Sequence, residues 1–233
     1  MNNTHTYPTI IAIGGGGFTH QTDPELEDFI IDQSPIKHPN IGFIGAASRD
    51  NPNRIDRFYQ RFLNYAGSTS HLCQQSSMQT ARDWISQQDI IYVGGGDTIH
   101  LLSYFRKNKL DSHLANAANN GTILAGVSAG AVCWYDVALS DSAGNGLTPL
   151  PGLGIIPGSC CPHYSSEPER QKAFQQKIST RAMPDGVAID DGVAVLIRPG
   201  QPPVAYSARN SMGAYSVEKK GNNSVTTRLK FLD

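Results

Sequence analysis

The segment of this chain with the clearest chemical potential is Gly126-Val127-Ser128-Ala129-Gly130. It matches the Gly-x-Ser-x-Gly pattern, in which a serine lies on a sharp turn between a strand and a helix. Small flanking residues let the strand and the helix approach closely, and the first helical amides then face the serine. An apolar run at 122–127 precedes the segment, and helix-compatible residues follow it. The pattern therefore predicts a nucleophilic Ser128; an ordinary helix start is the alternative.

A serine that attacks a carbonyl group needs hydrogen-bond donors for the oxyanion that forms. The run Gly94-Gly95-Gly96-Asp97 follows an apolar strand at 90–93. The carboxyl ends of the strands in a doubly wound sheet face the ligand crevice, and glycine places no side chain in front of its own N–H. The run therefore predicts a donor site, with a plain tight turn or a phosphate-binding loop as the alternative.

Such a serine also needs a general base and a carboxylate that orients it. Among the seven histidines, His163 differs because it follows a predicted strand and opens a loop at Pro162-His163-Tyr164. On spacing alone, a structural role for His163 is an equal alternative. The carboxylates that are candidates to orient its imidazole are Asp136, Asp141, Glu167, Asp190 and Asp191. Spacing does not choose among them.

The elements that must position these residues alternate along the first two thirds of the chain. Apolar runs predict strands at 9–13, 41–47, 70–73, 90–93 and 122–127, and helical spacing predicts helices at 24–32, 51–66, 78–87, 99–107 and 110–118. Thr98 is the predicted cap of the fourth helix. Apolar strands separated by helices indicate an α/β fold with a doubly wound, mostly parallel sheet and helices on both faces.

The pattern changes after residue 140. The Gly-, Pro- and Ser-rich stretch 140–151 predicts a loop, and the strand at 155–156 leads to His163. A helix is predicted at 167–180, and strands at 187–189, 193–197 and 204–206. A C-terminal hairpin is predicted at 214–217 and 225–231, across Gly221-Asn222-Asn223. Because no repeat or linker interrupts the chain, we expect a single domain over residues 1–233.

Composition narrows the class of partner. The formal net charge of -1, from 20 acidic and 19 basic residues, gives no field that would attract nucleic acid or an anionic membrane. Met1 to Thr6 lacks the basic and apolar parts of a signal peptide, and no apolar run approaches the roughly 20 residues of a membrane span. The four cysteines include no Cys-x-x-Cys pair. We therefore expect a cytoplasmic protein with neither a zinc site nor a disulfide framework.

Three segments together resemble the dipeptidase E family of serine peptidases, which includes cyanophycinase-like enzymes and has the class I glutamine amidotransferase-like fold. They are Ile91-Tyr92-Val93-Gly94-Gly95-Gly96-Asp97-Thr98, Gly126-Val127-Ser128-Ala129-Gly130-Ala131 and Pro162-His163-Tyr164. The resemblance implies a triad of Ser128, His163 and a carboxylate. The family has a Glu in a short Pro-Glu-Gly turn where this chain has Asp191, which is one methylene shorter. Asp190, Asp136 and Asp141 stay open as alternatives.

The resemblance also implies the remaining roles. The oxyanion donors would be the amide of Ala129 and that of Gly95 or Gly96. The expected reaction is that of an exopeptidase or dipeptidase, in which an acyl-enzyme forms on Ser128 with His163 as general base. No metal or organic cofactor is expected, and the protein would be a monomer or a homodimer. The candidate substrate contacts are Asp97, Tyr164, Glu167 and Arg170.

Three alternatives to a dipeptidase remain open at this stage. One is a cyanophycinase-like hydrolase of isopeptide or other acyl substrates, because Asp97 stands where dipeptidase E has Asn. A second is a nucleotide-binding module on Gly14 to Gly17 or Gly94 to Gly96, although neither run fits Gly-x-Gly-x-x-Gly. The third is a non-catalytic relative that binds a small ligand.

Overall fold

The computed structural model describes residues 8–232; the Met1 to Thr6 segment, on which the signal-peptide prediction depends, lies outside this part. In chain order the strands are β1 (Ile10–Ile13), β2 (Asn40–Ile44), β3 (Ser68–Leu72), β4 (Ile90–Val93), β5 (Ile123–Val127), β6 (Tyr135–Ser140), β7 (Thr148–Pro151), β8 (Ile156–Cys161), β9 (Gly186–Ile189), β10 (Val193–Ile197), β11 (Val204–Ser207), β12 (Ala214–Lys220) and β13 (Asn223–Arg228). The α-helices are α1 (Glu25–Asp32), α2 (Pro52–Phe62), α3 (Met78–Ser86), α4 (Thr98–Lys107), α5 (Leu110–Asn119), α6 (Ala129–Val132) and α7 (Pro168–Ser179).

The larger sheet has the strand order β11-β10-β1-β5-β4-β2-β3. Strands β1, β5, β4, β2 and β3 are parallel, whereas β10 and β11 extend the sheet in the antiparallel sense. Ile11 and Ile13 of β1 belong to one hydrophobic cluster, and Ile10 and Ala12 belong to another. Because alternate residues of a strand point to opposite faces, both faces of this sheet are covered. The predicted α/β fold class is confirmed.

A second sheet has the order β13-β12-β9-β8-β6-β7. Strands were predicted at 155–156, at 187–189 and in the C-terminal hairpin, but their assembly into a separate sheet was not. The prediction of a loop over 140–151 was wrong in part, because this stretch contains β7 and follows directly on β6. Pro149 and Pro151 lie in β7, which is the strand at the edge of this sheet, beside β6. An edge strand tolerates proline, since one side of it needs no N–H donor.

Several predicted boundaries move by a few residues. Asp97, rather than Thr98, caps α4: its side chain accepts a hydrogen bond from the His100 amide at 2.9 Å. The strand predicted at 41–47 ends at Ile44, and a 3₁₀ turn follows at Ala46–Ser48. Asn51 caps α2 as predicted, with Pro52 in the first turn, but the helix ends at Phe62.

The strand order brings the candidate residues to one edge of the larger sheet. β1, β5 and β4 are adjacent and parallel, so Gly14, Ser128 and Gly94 follow their carboxyl ends side by side. The turn between β9 and β10 carries the chain from the smaller sheet to the larger one. Within residues 8–232, every helix is too short or too polar to cross a bilayer.

Candidate active site

Ser128 lies on the turn that joins β5 to α6. Its φ and ψ angles are 54° and -113°, a conformation that residues with a side chain rarely adopt. The Ser128 amide donates to the Ile13 carbonyl oxygen of β1 at 2.9 Å, which holds the turn against the sheet. This is the strand–turn–helix context that the sequence pattern predicts for an exposed hydroxyl.

Glycine is required at two positions of this turn, because backbone atoms of neighbouring segments leave no room for a Cβ atom. A Cβ atom on Gly126 would lie 2.2 Å from the Gly130 carbonyl oxygen, and one on Gly130 would lie 2.1 Å from the Val93 carbonyl oxygen. No real Cβ contact is that short, so a side chain at either position would push the backbone apart. Helix α6 is a single turn, so the groups that face Ser128 are individual amides rather than the end of a long helix.

His163 follows β8 and contacts Ser128. Its Nε2 atom lies 2.9 Å from the Ser128 Oγ atom. Its φ angle of 54° is in the left-handed region, and its carbonyl oxygen accepts a hydrogen bond from the Glu167 amide at 3.2 Å. The next residue, Tyr164, donates its amide to the Ile189 carbonyl oxygen of β9 at 3.1 Å. These backbone contacts fix the direction of the imidazole.

Asp191 holds the other side of the same imidazole. The Asp191 Oδ1 atom lies 2.6 Å from the His163 Nδ1 atom. A carboxylate only accepts, so the imidazole proton is on Nδ1, and Nε2 presents its lone pair to the Ser128 hydroxyl. Burial raises the pKa of Asp191, but the hydrogen bonds from His163 and the Ser166 hydroxyl, together with the positive charge of Arg209, outweigh it, and the pKa is lowered overall. Asp191 is therefore a carboxylate at neutral pH.

The other candidate carboxylates have other partners. Asp190 is 1% exposed, and its Oδ2 atom accepts from the Gly213 amide at 2.9 Å. Asp136 accepts from the Gly158 amide at 2.9 Å. Asp141 and Glu167 both face Arg170. Of the five carboxylates that the sequence left open, Asp191 is the one that reaches the His163 imidazole.

Gly15 was not predicted to be part of this site. In the sequence, the run Gly14 to Gly17 was considered only as a possible nucleotide-binding loop. Gly15 pairs with Asp191 in a β-bridge, and the Gly192 amide donates to the Gly15 carbonyl oxygen at 2.8 Å. A Cβ atom on Gly15 would lie 2.8 Å from two atoms of the His163 ring. The signal was present in the sequence, because the glycine run at 14–17 follows β1 at the same sheet edge as Ser128.

The predicted oxyanion donors lie beside Ser128. A Cβ atom on Gly95 would fall 3.1 Å from the Ser128 Cβ atom and 3.8 Å from its Oγ atom. Within residues 8–232, the amides of Gly95, Gly96 and Ala129 donate no hydrogen bond to any protein group. Unused amides next to a serine hydroxyl, an imidazole and an ionised carboxylate form an arrangement able to carry out acyl transfer.

Comparisons with known proteins identify the family of this chain. The sequence profile of Peptidase family S51 matches residues 10–202. The chain belongs to Peptidase family S51, and it is a peptidase.

Relatives of this S51 peptidase extend the likeness. It is 40% identical over 210 residues to the uncharacterized peptidase YgaJ of Bacillus subtilis (strain 168), a match that covers 89% of this chain and 91% of that protein. It is 29% identical over 116 residues to peptidase E of Haemophilus influenzae (strain ATCC 51907 / DSM 11121 / KW20 / Rd), which covers 49% and 51% of the two chains. The resemblance to the dipeptidase E family is thereby confirmed.

Solved structures contain the same fold. The crystal structure of a peptidase from an acI-B1 Actinobacterium superposes with a TM-score of 0.77 and covers 98% of this chain and 96% of that one. Sequence identity between the two is 18%, so the match concerns the fold alone.

The four predicted substrate contacts of the S51 peptidase are all engaged within the protein. Asp97 caps α4 and lies 3.6 Å from Arg49. Tyr164 is buried in a hydrophobic cluster, and its hydroxyl accepts from Gln175 at 2.9 Å. The Arg170 side chain is 6% exposed, donates to Glu167 at 2.5 Å and lies 3.5 Å from Asp141. Their roles toward a substrate stay predictions.

The thiols of Cys133 and Cys161 are buried in this S51 peptidase. Burial raises the pKa of Cys161 to about 12 and that of Cys133 well above its ordinary value. The thiolate is the reactive form, so both are inert near neutral pH. Among residues 8–232, no group of three or more His, Cys, Asp and Glu side chains is placed to hold a metal ion.

Proposed function

We propose that this S51 peptidase is a serine-type exopeptidase or dipeptidase that hydrolyses short peptides through an acyl-enzyme on Ser128. One observation carries the proposal: Asp191, His163 and Ser128 form a continuous hydrogen-bonded series, with separations of 2.6 Å and 2.9 Å. A serine, a base and an orienting carboxylate in that order are the parts of a hydrolytic triad.

The mechanism follows from these contacts. Ser128 attacks the scissile carbonyl carbon while His163 Nε2 takes the hydroxyl proton. Asp191 stabilises the imidazolium that forms, and amides of Ala129 and of Gly95 or Gly96 donate to the oxyanion. His163 then gives the proton to the departing amine, which leaves Ser128 acylated. A water molecule repeats the cycle, with His163 as its base, and frees the acid.

The size of the substrate and the location of the protein are part of the same proposal. Support for a short peptide comes from the similarity to peptidase E of Haemophilus influenzae. Support for the cytoplasm comes from the four free cysteines, which are typical of a reducing compartment. The predicted substrate contact Arg170 gives no support for a required N-terminal aspartate, because it faces Glu167 and Asp141.

The experiment compares wild type with Ser128→Ala on a panel of dipeptides and tripeptides that includes N-terminal aspartyl and β-aspartyl compounds. We expect Ser128→Ala to lose about 10⁴-fold or more in kcat. Ser86→Ala, an exposed serine on α3, is the control and should retain wild-type rates. A serine-reactive phosphonate should modify Ser128, as measured by peptide mass spectrometry. Wild-type turnover by Ser128→Ala would rule out the proposal.

A further inference from the structure

Arg54 makes a contact that the triad does not explain. It lies in the first turn of α2, is half-buried, and its Nη1 atom donates to the Gly95 carbonyl oxygen at 2.5 Å. Burial and the positive charge of Arg57 lower the pKa of Arg54 from its ordinary value. Burying part of a guanidinium costs free energy, and the charge-assisted hydrogen bond to Gly95 offsets some of this cost.

Among residues 8–232, the backbone hydrogen bonds that hold the Gly95-Gly96 pair lie at its two flanks. The Gly94 amide donates to the Ile44 carbonyl oxygen at 3.0 Å, and the Asp97 amide donates to the Ala47 carbonyl oxygen at 2.8 Å. Between these two contacts, Arg54 is the polar partner of the peptide that links Gly95 to Gly96. Gly96 has a φ angle of 138°, which glycine adopts freely, so this peptide has little intrinsic preference for one orientation.

The direction of one peptide group couples Arg54 to the oxyanion donors. The carbonyl oxygen of Gly95 and the N–H of Gly96 belong to the same planar trans peptide, so they point in opposite directions. A guanidinium that fixes the Gly95 oxygen therefore fixes the direction of the Gly96 N–H. The positive charge on the oxygen side also polarises the peptide, which strengthens the N–H as a donor.

We propose that Arg54 is a positioning residue for the oxyanion hole: its hydrogen bond to the Gly95 carbonyl oxygen aims and polarises the Gly96 amide. The inference rests on the proposed function, because it concerns how the same serine site stabilises its transition state. It assigns no contact between Arg54 and the substrate.

The first test is kinetic and uses Arg54→Met. We expect kcat to fall about 10- to 100-fold, somewhat less than the roughly 10²- to 10³-fold loss when a donor itself is removed. KM should stay within about twofold, because the oxyanion forms only in the transition state. Arg106→Met is the matched control, since Arg106 also donates to backbone carbonyl oxygens, those of Pro151 and Gly152, but on a different loop. It should retain wild-type kcat.

A second readout separates positioning from general structural damage. A peptide boronic acid forms a tetrahedral adduct on the serine that occupies the oxyanion site. Its affinity should fall by the same factor as kcat in Arg54→Met, while the affinity for the product amino acid stays unchanged. Arg54→Lys keeps a positive donor and should recover part of the loss. If Arg54→Met does not fold, Arg54→Leu, which also lacks a donor, takes its place, with the same expected loss.

Two results would overturn the inference. One is wild-type kcat and boronate affinity in a folded Arg54→Met or Arg54→Leu protein. The other is a loss that lies wholly in KM, which would make Arg54 a substrate-binding residue. Either result can occur while Ser128→Ala is inactive, and then only this inference fails. Wild-type activity in Ser128→Ala would remove the proposed function and this inference with it.

Discussion

Gly15 lies so close to Asp191 that a Cβ atom on Gly15 would fall 2.1 Å from the Asp191 Oδ1 atom. That oxygen is also the acceptor of the His163 Nδ1 proton. The glycine loop after β1 thus forms one wall of the His163–Asp191 pair, and the space it leaves admits no side chain.

The first prediction concerns this wall. Gly15→Ala should displace the carboxylate or the imidazole and lower kcat by about 100-fold, the cost expected from a misplacement of about 1 Å. The measurement is steady-state kinetics beside circular dichroism. Gly144→Ala is the control, because a Cβ atom there meets nothing within 4 Å and its φ of 75° affects stability only. Unchanged kcat in Gly15→Ala would mean that the pair tolerates displacement.

The second prediction separates two adjacent carboxylates. Asp191→Asn should lower kcat by about 10⁴-fold, because an amide in this position favours the wrong tautomer of the imidazole. Asp190→Asn should retain most of the activity, since Asp190 accepts from the Gly213 amide and an asparagine oxygen can do the same. Kinetics of the two variants at one pH decide the matter. Greater loss in Asp190→Asn would reverse the assignment of the acid.

The third prediction is about stability at the serine turn. A Cβ atom on Gly130 would meet the Val93 carbonyl oxygen at 2.1 Å, and backbone atoms cannot rotate away as a side chain can. Gly130→Ala should therefore lower the free energy of unfolding by about 1–3 kcal/mol or more. Urea denaturation of the variant measures it. Wild-type stability would show that the strand and the helix can separate without cost.

The fourth prediction concerns pH and the buried Glu27 of α1. Its Oε1 atom accepts from the Phe18 amide at 3.2 Å, at the end of the glycine loop. Burial raises its pKa from 4.5 to about 7, against the opposing effects of the Phe18 N–H and Arg61. The folded protein therefore binds a proton that the unfolded chain has released between these pH values. The contribution of Glu27 to the free energy of unfolding therefore falls as pH rises through this window, by about 3 kcal/mol in all.

Glu27→Gln should lack that decline, because a neutral amide has no proton to lose there. The measurement is the free energy of unfolding at pH 4, 6 and 8 for wild type and variant. Glu25→Gln, an exposed neighbour on α1, should follow the wild-type profile. Parallel profiles for wild type and Glu27→Gln would contradict the raised pKa.

Much of the fold could be predicted from local patterns. The bounds of β4 follow from an apolar run that stops at three glycines, and Asn51-Pro52 marks the start of α2. β7 was not predicted, because two of its four residues are prolines, which are typical of loops. β6 contains neither glycine nor proline, and its pairing with β7 and β8 depends on residues outside the strand itself. Single-sequence periodicity carries no information on such partners.

The candidate site divides in the same way. Ser128 and His163 stood out through short motifs, and the structure brings them together at the expected sheet edge. The acid did not stand out, because Asp190 and Asp191 are adjacent and identical in type. The two carboxylates differ in a long-range contact: Asp191 forms a β-bridge with Gly15, which is 176 residues away in the chain. No local sequence pattern reveals such a contact. Arg54 was missed because its partner is a backbone carbonyl oxygen, which leaves no mark on sequence.

The two-sheet architecture has a consequence for how this protein loses function. Ser128 follows a strand of the larger sheet, His163 follows a strand of the smaller one, and Asp191 lies where the chain passes between them. The distance between Ser128 and His163 therefore depends on the position of one sheet relative to the other. A shift of about 1 Å between the two sheets would abolish turnover, while the hydrogen bonds within each sheet stay intact. In mild denaturant, inactivation should then precede any change in the far-ultraviolet spectrum.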